Sequence, residues 1–159
     1  MTMKKKYTSQ NSCINNIKYG EGLKIVNPVN LYDCILGSNV FIGPFVEIQG
    51  NVIIGNNCKI QSHTFICSKV KISSNCFIGH GVRFINDDFK ANNGPAKGNK
   101  KLWKNTTIGK NVSIGSGAII MPITICAKTI IGAGSVVTKN ITKAGIYAGN
   151  PAKLLKKIK

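Results

Sequence analysis

A large apolar residue recurs at every sixth position from Leu36 to Phe84. The series has no gap: Leu36, Ile42, Ile48, Ile54, Ile60, Ile66, Ile72, Ile78 and Phe84. A period of six matches neither the 3.6-residue turn of an α-helix nor the two-residue alternation of a simple β-strand. The chain must therefore fold by a rule that repeats every six residues.

A second column, two residues earlier, keeps the same period with small or β-branched residues: Val40, Val46, Val52, Cys58, Thr64, Val70, Cys76 and Val82. Glycine often follows the large residue: Gly37, Gly43, Gly55 and Gly79. Such units are typical of a parallel β-helix, with one short strand and one corner per repeat. Three repeats form a coil of about 18 residues, so Leu36 should lie beneath Ile54 and Ile54 beneath Ile72.

The six-residue period extends towards the N-terminus, with irregular spacing, through Leu31, Ile25 and Tyr19. It resumes after a loop at residues 86–105. The later positions include one five-residue step: Ile108, Ile114, Ile120, Ile125, Ile131 and Val137. We expect an all-β domain of about five or six coils over residues 19–142, after an N-terminal segment at 1–18. The basic run after Pro151 predicts a short C-terminal helix within residues 143–159, which would cap the open strand edges.

The net charge is +17, from 22 basic and 5 acidic residues. Such a charge attracts polyanions, either nucleic acid or small phosphorylated molecules such as coenzyme A and nucleotide sugars. A lysine-rich composition without any function would give the same charge. The lysines cluster separately at 4–6, 97–104 and 153–159, and no nucleic-acid-binding motif accompanies them. Small phosphorylated ligands are therefore favoured over nucleic acid.

The six cysteines form no CxxC pair, and no apolar run follows the N-terminal lysines as a secretory signal would require. We expect reduced thiols in a cytoplasmic protein without a membrane span. Cys34, Cys58, Cys76 and Cys126 occupy repeat positions, which favours small buried thiols over metal ligands.

The six-residue units, together with IGAGSVVTKNI at 131–141 and AGNPAK at 148–153, resemble the hexapeptide-repeat acyltransferases. The resemblance covers the chain from about residue 19 and implies a left-handed parallel β-helix, an exception to the usual right-handed crossover. It also implies acyl transfer from acetyl-CoA without a metal, and a homotrimer with active sites between subunits.

Within that family, KIQSHTFI, FIGHGVRFIND and the NPAK tail most resemble enzymes that acetylate the 3-amino group of nucleotide-linked deoxysugars. Those enzymes act on dTDP-3-amino-3,6-dideoxyhexoses or UDP-3-amino uronic acids, in pathways for surface glycans such as lipopolysaccharide O-antigen. The resemblance implies a nucleotide-linked aminosugar as substrate, with dTDP favoured. The proline-arginine pair that often follows the family's asparagine motif is missing here, which leaves the nucleotide open.

The loop supplies the strongest candidates for catalysis. O-acetylating relatives carry a histidine there, in a motif resembling T-x-x-H-P, whereas this chain reads FINDDF and has no histidine after Phe84. The resemblance places Asn86 beside the reacting amine and thioester, and Asp87 near a sugar hydroxyl or the amine, although aspartate often only closes a turn. A nitrogen acceptor fits, because an amine beside sugar oxygens should titrate near about 8 and needs less help from a base.

The two histidines occupy outward corners of the repeat. His63 is a candidate base or substrate contact, and His80 a candidate substrate contact. Either could instead be an ordinary solvent or intersubunit residue. Gln61 and Ser62 share the corner of His63 and could also meet the sugar.

The distal coils are predicted to hold coenzyme A. Small residues at Ser116, Ala118 and Ala133 would let the pantetheine approach the backbone, although every repeat has small corner residues. Lys139 and Lys153 fit contacts to the nucleotide phosphates.

Three other functions remain as alternatives: O-acetylation of a sugar or glycan, a non-catalytic β-helix scaffold, and a basic binding protein. The carbonic anhydrases of the same fold need three histidines. This chain has two, which argues against that function.

Overall fold

The computed structural model describes residues 14–90 and 93–158. Cys13, the lysines at 4–6, most of the predicted N-terminal segment and Lys159 lie outside these ranges. The strands, in chain order, are β1 Ile14–Asn15, β2 Lys18–Tyr19, β3 Lys24–Ile25, β4 Asn30–Tyr32, β5 Ile35–Leu36, β6 Phe41–Ile42, β7 Glu47–Ile48, β8 Ile53–Ile54, β9 Lys59–Ile60, β10 Phe65–Ile66, β11 Val70–Ile72, β12 Phe77–Ile78, β13 Arg83–Phe84, β14 Thr106–Ile108, β15 Ser113–Ile114, β16 Ile119–Ile120, β17 Thr124–Ile125, β18 Ile130–Ile131, β19 Val136–Val137, β20 Gly145–Ala148 and β21 Lys153–Lys157. One 3-10 turn, Lys100–Leu102, lies in the loop.

From β1 to β19, every third strand stacks in the same sheet, so three sheets form the faces of a triangular prism. Sheet A runs β1-β4-β7-β10-β13-β16-β19, sheet B runs β17-β14-β11-β8-β5-β2, and sheet C runs β21-β20-β18-β15-β12-β9-β6-β3. Sheet A has seven strands, so the stack has about seven coils, more than the five or six expected. The slipped repeats before residue 31 account for the difference, because they still form paired strands.

The predicted register is confirmed. Leu36 pairs with Ile54 and Ile54 with Ile72, and all three side chains are almost fully buried. Each coil alone would expose this apolar column, so the stack as a whole supplies the core.

Asparagine at the corners has a backbone reason. Asn39, Asn57 and Asn75 adopt φ values of 56°, 57° and 61°, in the left-handed region that asparagine tolerates better than most residues. Their amides also form a ladder, from Asn39 Nδ2 to Asn57 Oδ1 at 3.3 Å and from Asn57 Nδ2 to Asn75 Oδ1 at 3.1 Å. This corner is therefore stabilised by both conformation and side-chain stacking.

The loop enters between β13 and β14 without disturbing the stack. Ile72 pairs with Ile54, 18 positions earlier, and with Ile108, 36 positions later, so the insertion is one coil long. Past the loop, Ile108 pairs with Ile125, 17 positions on, which confirms the five-residue step.

The predicted C-terminal helix is wrong. Gly145–Ala148 and Lys153–Lys157 form an antiparallel ribbon that joins sheet C through β18. A strand forms here because β20 lies at the edge of sheet C, where its backbone N–H and C=O groups pair with those of β21. Within residues 14–90 and 93–158, no helix has the length and hydropathy needed to span a membrane.

The repeat cysteines are free thiols, and three of the four are buried as predicted. Cys34, Cys58 and Cys76 are buried, and Cys126 is half-buried. Burial raises the pKa of Cys34 to about 11, so this thiol stays protonated and unreactive at neutral pH.

Candidate active site at two corners of the prism

Most of the predicted substrate and cofactor residues fall on one corner, where the chain passes from sheet C to sheet A. This C–A corner carries Gln61, Ser62, His63, His80, Ser116 and Ala133. Backbone hydrogen bonds join its coils: Gly81 N donates to Ser62 O at 2.9 Å, and Gly117 N donates to His80 O at 2.8 Å. The same ladder continues from Gly134 N to Ser116 O at 2.8 Å.

His80 has a defined partner on this corner. The Ser62 Oγ to His80 Nδ1 distance is 2.8 Å, and the imidazole is otherwise exposed. Because a hydroxyl can donate or accept, Ser62 can hold the ring in either tautomer. When Nδ1–H donates to Ser62, Nε2 keeps a lone pair that can accept a proton.

Gly79 allows the coil of His80 to approach the coil of Ser116 closely. A Cβ atom at Gly79 would lie 2.7 Å from Ser116 N. His80 is therefore directly adjacent to the coil predicted to hold coenzyme A.

His63 lies one coil further from Ser116 and has a different environment. Its φ is 61°, and its ring packs against Phe45 with the centroids 4.8 Å apart and an interplanar angle of 31°. The His63 ring is exposed, so it remains accessible to a substrate.

Gln61 faces a groove on sheet C rather than the tip of the corner. This groove, of about 490 Å³, is lined by Lys24, Phe41, Lys59 and Gln61. Gln61 thus connects the C–A corner to a basic surface.

Asn86 lies on the next corner, where the chain leaves sheet A. The side-chain Nδ2 of Asn86 donates to Ser68 O at 3.2 Å, and the backbone carbonyl oxygen of Asn86 accepts from Lys104 N at 2.8 Å. Asn86 therefore joins the start of the loop to its end and to the coil of Ser68. We call this corner, which carries Ser68, Asn86 and Lys139, the A–B corner.

Asp87 organises the loop. Its Oδ1 accepts from Phe89 N at 3.1 Å and its Oδ2 from Ala96 N at 2.7 Å, so both oxygens bind backbone amides. The first of these bonds is the turn closure anticipated from the sequence.

Asp88 and Lys104 were not singled out from the sequence. Lys104 Nζ lies 2.7 Å from Asp88 Oδ2, and this hydrogen bond lowers the pKa of Asp88. The Asn-Asp-Asp run marked the segment, but only the folded loop brings Lys104 back to it.

The structure does not bring all the predicted residues together. Asn86 and Asp87 lie on the A–B corner and the histidines on the C–A corner, with sheet A between them. Among the described residues, no hydrogen bond connects the two groups.

Two of the residues predicted to contact the cofactor, Lys139 and Lys153, lie outside the coils of the C–A corner, and a third, Ala118, has a buried side chain. Lys139 is exposed on the A–B corner, and Lys153 pairs with Ala148 in the terminal ribbon. Ala118 is 0% exposed, because its side chain occupies the inward column of the repeat. Its side chain therefore belongs to the core, and the prediction that Ala118 meets coenzyme A concerns its backbone alone.

Two sequence segments match known families. The profile "Bacterial transferase hexapeptide (six repeats)" matches residues 33–68, and "Hexapeptide repeat of succinyl-transferase" matches residues 105–139. The two matches lie on either side of the loop.

Curated relatives match over part of their length. The chain is 50% identical over 54 residues to a chloramphenicol acetyltransferase of Klebsiella aerogenes, and 47% identical over 53 residues to the galactoside O-acetyltransferase of Escherichia coli. Each match covers 33% of this chain and 26% of the relative.

Solved structures match nearly the whole chain. A hexapeptide transferase family protein from Anaplasma phagocytophilum has a TM-score of 0.73 at 22% identity, covering 90% of this chain and 80% of its own. AntD, an N-acyltransferase from Bacillus cereus solved as a mutant with dTDP and coenzyme A, has a TM-score of 0.72 at 24% identity, covering 91% and 84%. These likenesses establish the fold. Together with the two repeat matches, they show a chain built from hexapeptide repeats that fold as a left-handed β-helix.

Proposed function

We propose that this protein transfers an acetyl group from acetyl-CoA to the 3-amino group of a nucleotide-linked deoxyaminosugar. The first acceptor expected is a dTDP-3-amino-3,6-dideoxyhexose. The observation that carries the proposal is the base of the loop, where Asn86 leaves the repeat and where FINDDF provides no histidine. Acetyltransferases among the relatives support acetyl transfer, and a similarly folded N-acyltransferase solved with dTDP and coenzyme A supports a nitrogen acceptor linked to a nucleotide.

The C–A corner is the proposed coenzyme A site. Ser116 and Ala133 present small side chains, so the pantetheine amides can reach the backbone. The terminal ribbon turns back to this end of the corner, because Gly149 N donates to Ser135 Oγ at 3.2 Å. That turn brings Lys153 to the coils where the phosphates would lie, and Lys139 extends the positive charge to the next corner.

The reaction itself makes modest demands. The neutral amine nitrogen attacks the thioester carbonyl carbon, the C–S bond breaks, and the coenzyme A thiolate leaves. The amine proton passes to His80 Nε2 or to the departing thiolate, and the products are an amide and free coenzyme A. Positioning then supplies most of the acceleration.

Three polar side chains are assigned to that positioning. Asn86 orients the amine and thioester through its amide oxygen, since its Nδ2 is engaged by Ser68 O. Ser62 orients His80, and His63 contacts the sugar from the adjacent coil. Asp87 acts indirectly, by fixing the loop that carries Asn86.

A homotrimer would complete the site. Asn86 and His80 lie on two different corners of one protomer, with a sheet between them. In a closed three-fold assembly, the A–B corner of one protomer can face the C–A corner of the next. Each of the three sites would then draw on two protomers.

Oxygen acetylation is the second candidate, favoured by the similarity to galactoside O-acetyltransferase. The two candidates differ in what they demand of the base, because a sugar hydroxyl must lose its proton during attack. A panel of matched acceptors separates them: dTDP- and UDP-linked sugars with an amine or a hydroxyl at carbon 3, with coenzyme A release as the readout. We expect turnover only with the amines, and turnover only with the hydroxyls would refute the nitrogen assignment.

A further inference from the structure

A groove of about 320 Å³ lies where the loop crosses the A–B corner. Its walls include Tyr32, Gln49, Ser68, Lys69, Lys100 and Trp103. Tyr32 ends strand β4, whereas Lys100 and Trp103 belong to the loop. The groove therefore exists only because the loop folds back onto the coils, and the acetyl transfer described above uses neither aromatic ring.

The loop is fixed in place at this groove. Lys69 Nζ donates to Lys100 O at 2.9 Å and to Trp103 O at 2.8 Å, so one ammonium group holds the backbone on both sides of Leu102. Trp103 is therefore held in position before any ligand binds. Little ordering free energy would be lost on binding.

The aromatic side chains suit a planar ring. Trp103 and Tyr32 are each half-buried, which leaves part of each ring accessible. Nucleobases commonly stack on such side chains, because every base has a π-face. The volume lies at the lower end of the range for ligand sites, about 300 to 1,000 Å³, so it suits one heterocycle rather than a whole coenzyme A molecule.

The charges around the groove differ from one end to the other. Burial, then Glu47 and Asp33, raise the pKa of Tyr32, so that end lies in a negative field. The loop end carries the exposed lysines Lys100 and Lys101. A nucleotide fits this polarity if the N–H groups of its base face Tyr32 and its phosphates face the loop lysines.

The groove is next to the proposed reaction site. Ser68 lines it, and the carbonyl oxygen of Ser68 accepts the hydrogen bond from Asn86 Nδ2 at 3.2 Å. A nucleotide bound here would leave its sugar close to Asn86. The larger groove on sheet C, described above, contains a single aromatic ring, that of Phe41, with lysines around it. It lies next to the C–A corner and not next to Asn86.

Resting on the proposed function, we propose that the groove between Tyr32 and Trp103 binds the base of the acceptor's nucleoside diphosphate, with Lys100 at its phosphates. Coenzyme A also contains a nucleobase and a diphosphate, so it could bind the same groove. We assign the groove to the acceptor, because Ser68 lines it and also binds Asn86, the residue proposed to orient the sugar amine.

Fluorescence tests the binding directly, since Trp103 is the chain's one tryptophan. We would titrate the full-length protein with dTDP, UDP, coenzyme A and inorganic phosphate. Saturable quenching by dTDP or UDP that persists in saturating coenzyme A is expected, with none from phosphate. Quenching by coenzyme A alone, or by no nucleotide, would overturn the proposal.

Substitutions test the residues. Tyr32→Ala should weaken nucleotide binding about tenfold and raise the KM for the nucleotide-linked acceptor by a similar factor, leaving the KM for acetyl-CoA unchanged. Tyr32→Leu keeps apolar volume if alanine unfolds the protein, and Tyr19→Ala removes an exposed tyrosine elsewhere as the control. Equal effects at Tyr19 and Tyr32 would contradict the assignment.

The groove and the proposed function fail separately. Acetyl transfer to an aminosugar without any response of Trp103 to dTDP or UDP would remove the groove and leave the enzyme. Quenching by dTDP without acetylation of any amine would keep the groove and remove the N-acetyltransferase.

Discussion

Individual residues on this scaffold follow two different rules, according to the direction they face. Inward positions such as Ile60 and Ile78 are fixed by packing, and their burial could be predicted from the six-residue period. Outward positions such as Ser62 and His80 could be placed on a corner, but not joined to each other. Their hydrogen bond depends on side-chain rotamers in two adjacent coils, which the period does not specify.

Asn86→Ala tests the loop base at the level of one side chain. We expect turnover to fall about 100-fold, because the group that orients the reacting atoms is lost. The lost hydrogen bond to Ser68 should cost only about 1 kcal/mol of unfolding free energy. Steady-state kinetics and thermal melts measure the two effects, with the exposed Asn105→Ala as the matched control. Unaltered turnover would remove Asn86 from the site.

Thr106 offers a prediction about stability alone. Its side chain is 1% exposed, and Thr106 Oγ1 has no hydrogen-bond partner among the described residues. Thr106→Val should therefore raise the unfolding free energy by about 1 kcal/mol, because the isosteric methyl group needs no partner. Thr64→Val is the matched control and should destabilise, since Thr64 Oγ1 donates to Gly79 O at 3.0 Å. The reverse order of the two denaturation midpoints would contradict this reading.

Secondary-structure elements in this chain could be predicted where the local sequence determines them. The strands from Leu36 to Phe84 follow directly from the period, and the loop was located by its interruption. The terminal ribbon was missed because an amphipathic basic run fits a helix or a strand, and the choice depended on the free edge of β20. The attachment of the loop was equally hidden, because Lys69 and Trp103 are far apart in sequence.

Lys69→Met tests that attachment. The substitution keeps the apolar stem of the side chain and removes the ammonium group that binds Lys100 O and Trp103 O. We expect faster proteolysis within residues 93–105 and a red-shifted Trp103 emission, because the loop separates from the coils. Lys110→Met, at an exposed corner lysine, should change neither measurement. A loop that stays equally protected would show that Lys69 does not hold it.

At the scale of the whole molecule, the described residues form a stack of coils in which the candidate site residues lie on two corners that face different directions. The fold class could be predicted from the repeat alone, because period, residue type and coil length agree with one another. The division of the candidate residues between two corners could not, because it depends on which strands surround the inserted loop. That division is a second reason to expect a trimer, beside the family resemblance.

Mixed trimers test whether sites are shared between protomers. Asn86→Ala and His80→Ala trimers should each be impaired, but a co-assembled mixture should be more active than either, because some clefts combine an intact Asn86 with an intact His80. Light scattering should give three chains per particle. A monomeric active enzyme, or no recovery in verified mixed trimers, would contradict shared sites.

The chemical identity of the product tests the central claim most directly. The purified protein would be incubated with acetyl-CoA and a dTDP-3-amino-3,6-dideoxyhexose, and the product analysed by mass spectrometry and NMR before and after hydroxylamine treatment. We predict one acetyl group on the 3-nitrogen, stable to hydroxylamine as an amide. A hydroxylamine-labile acetyl ester, or an unmodified sugar with every aminosugar and acetyl-CoA combination, would contradict the account.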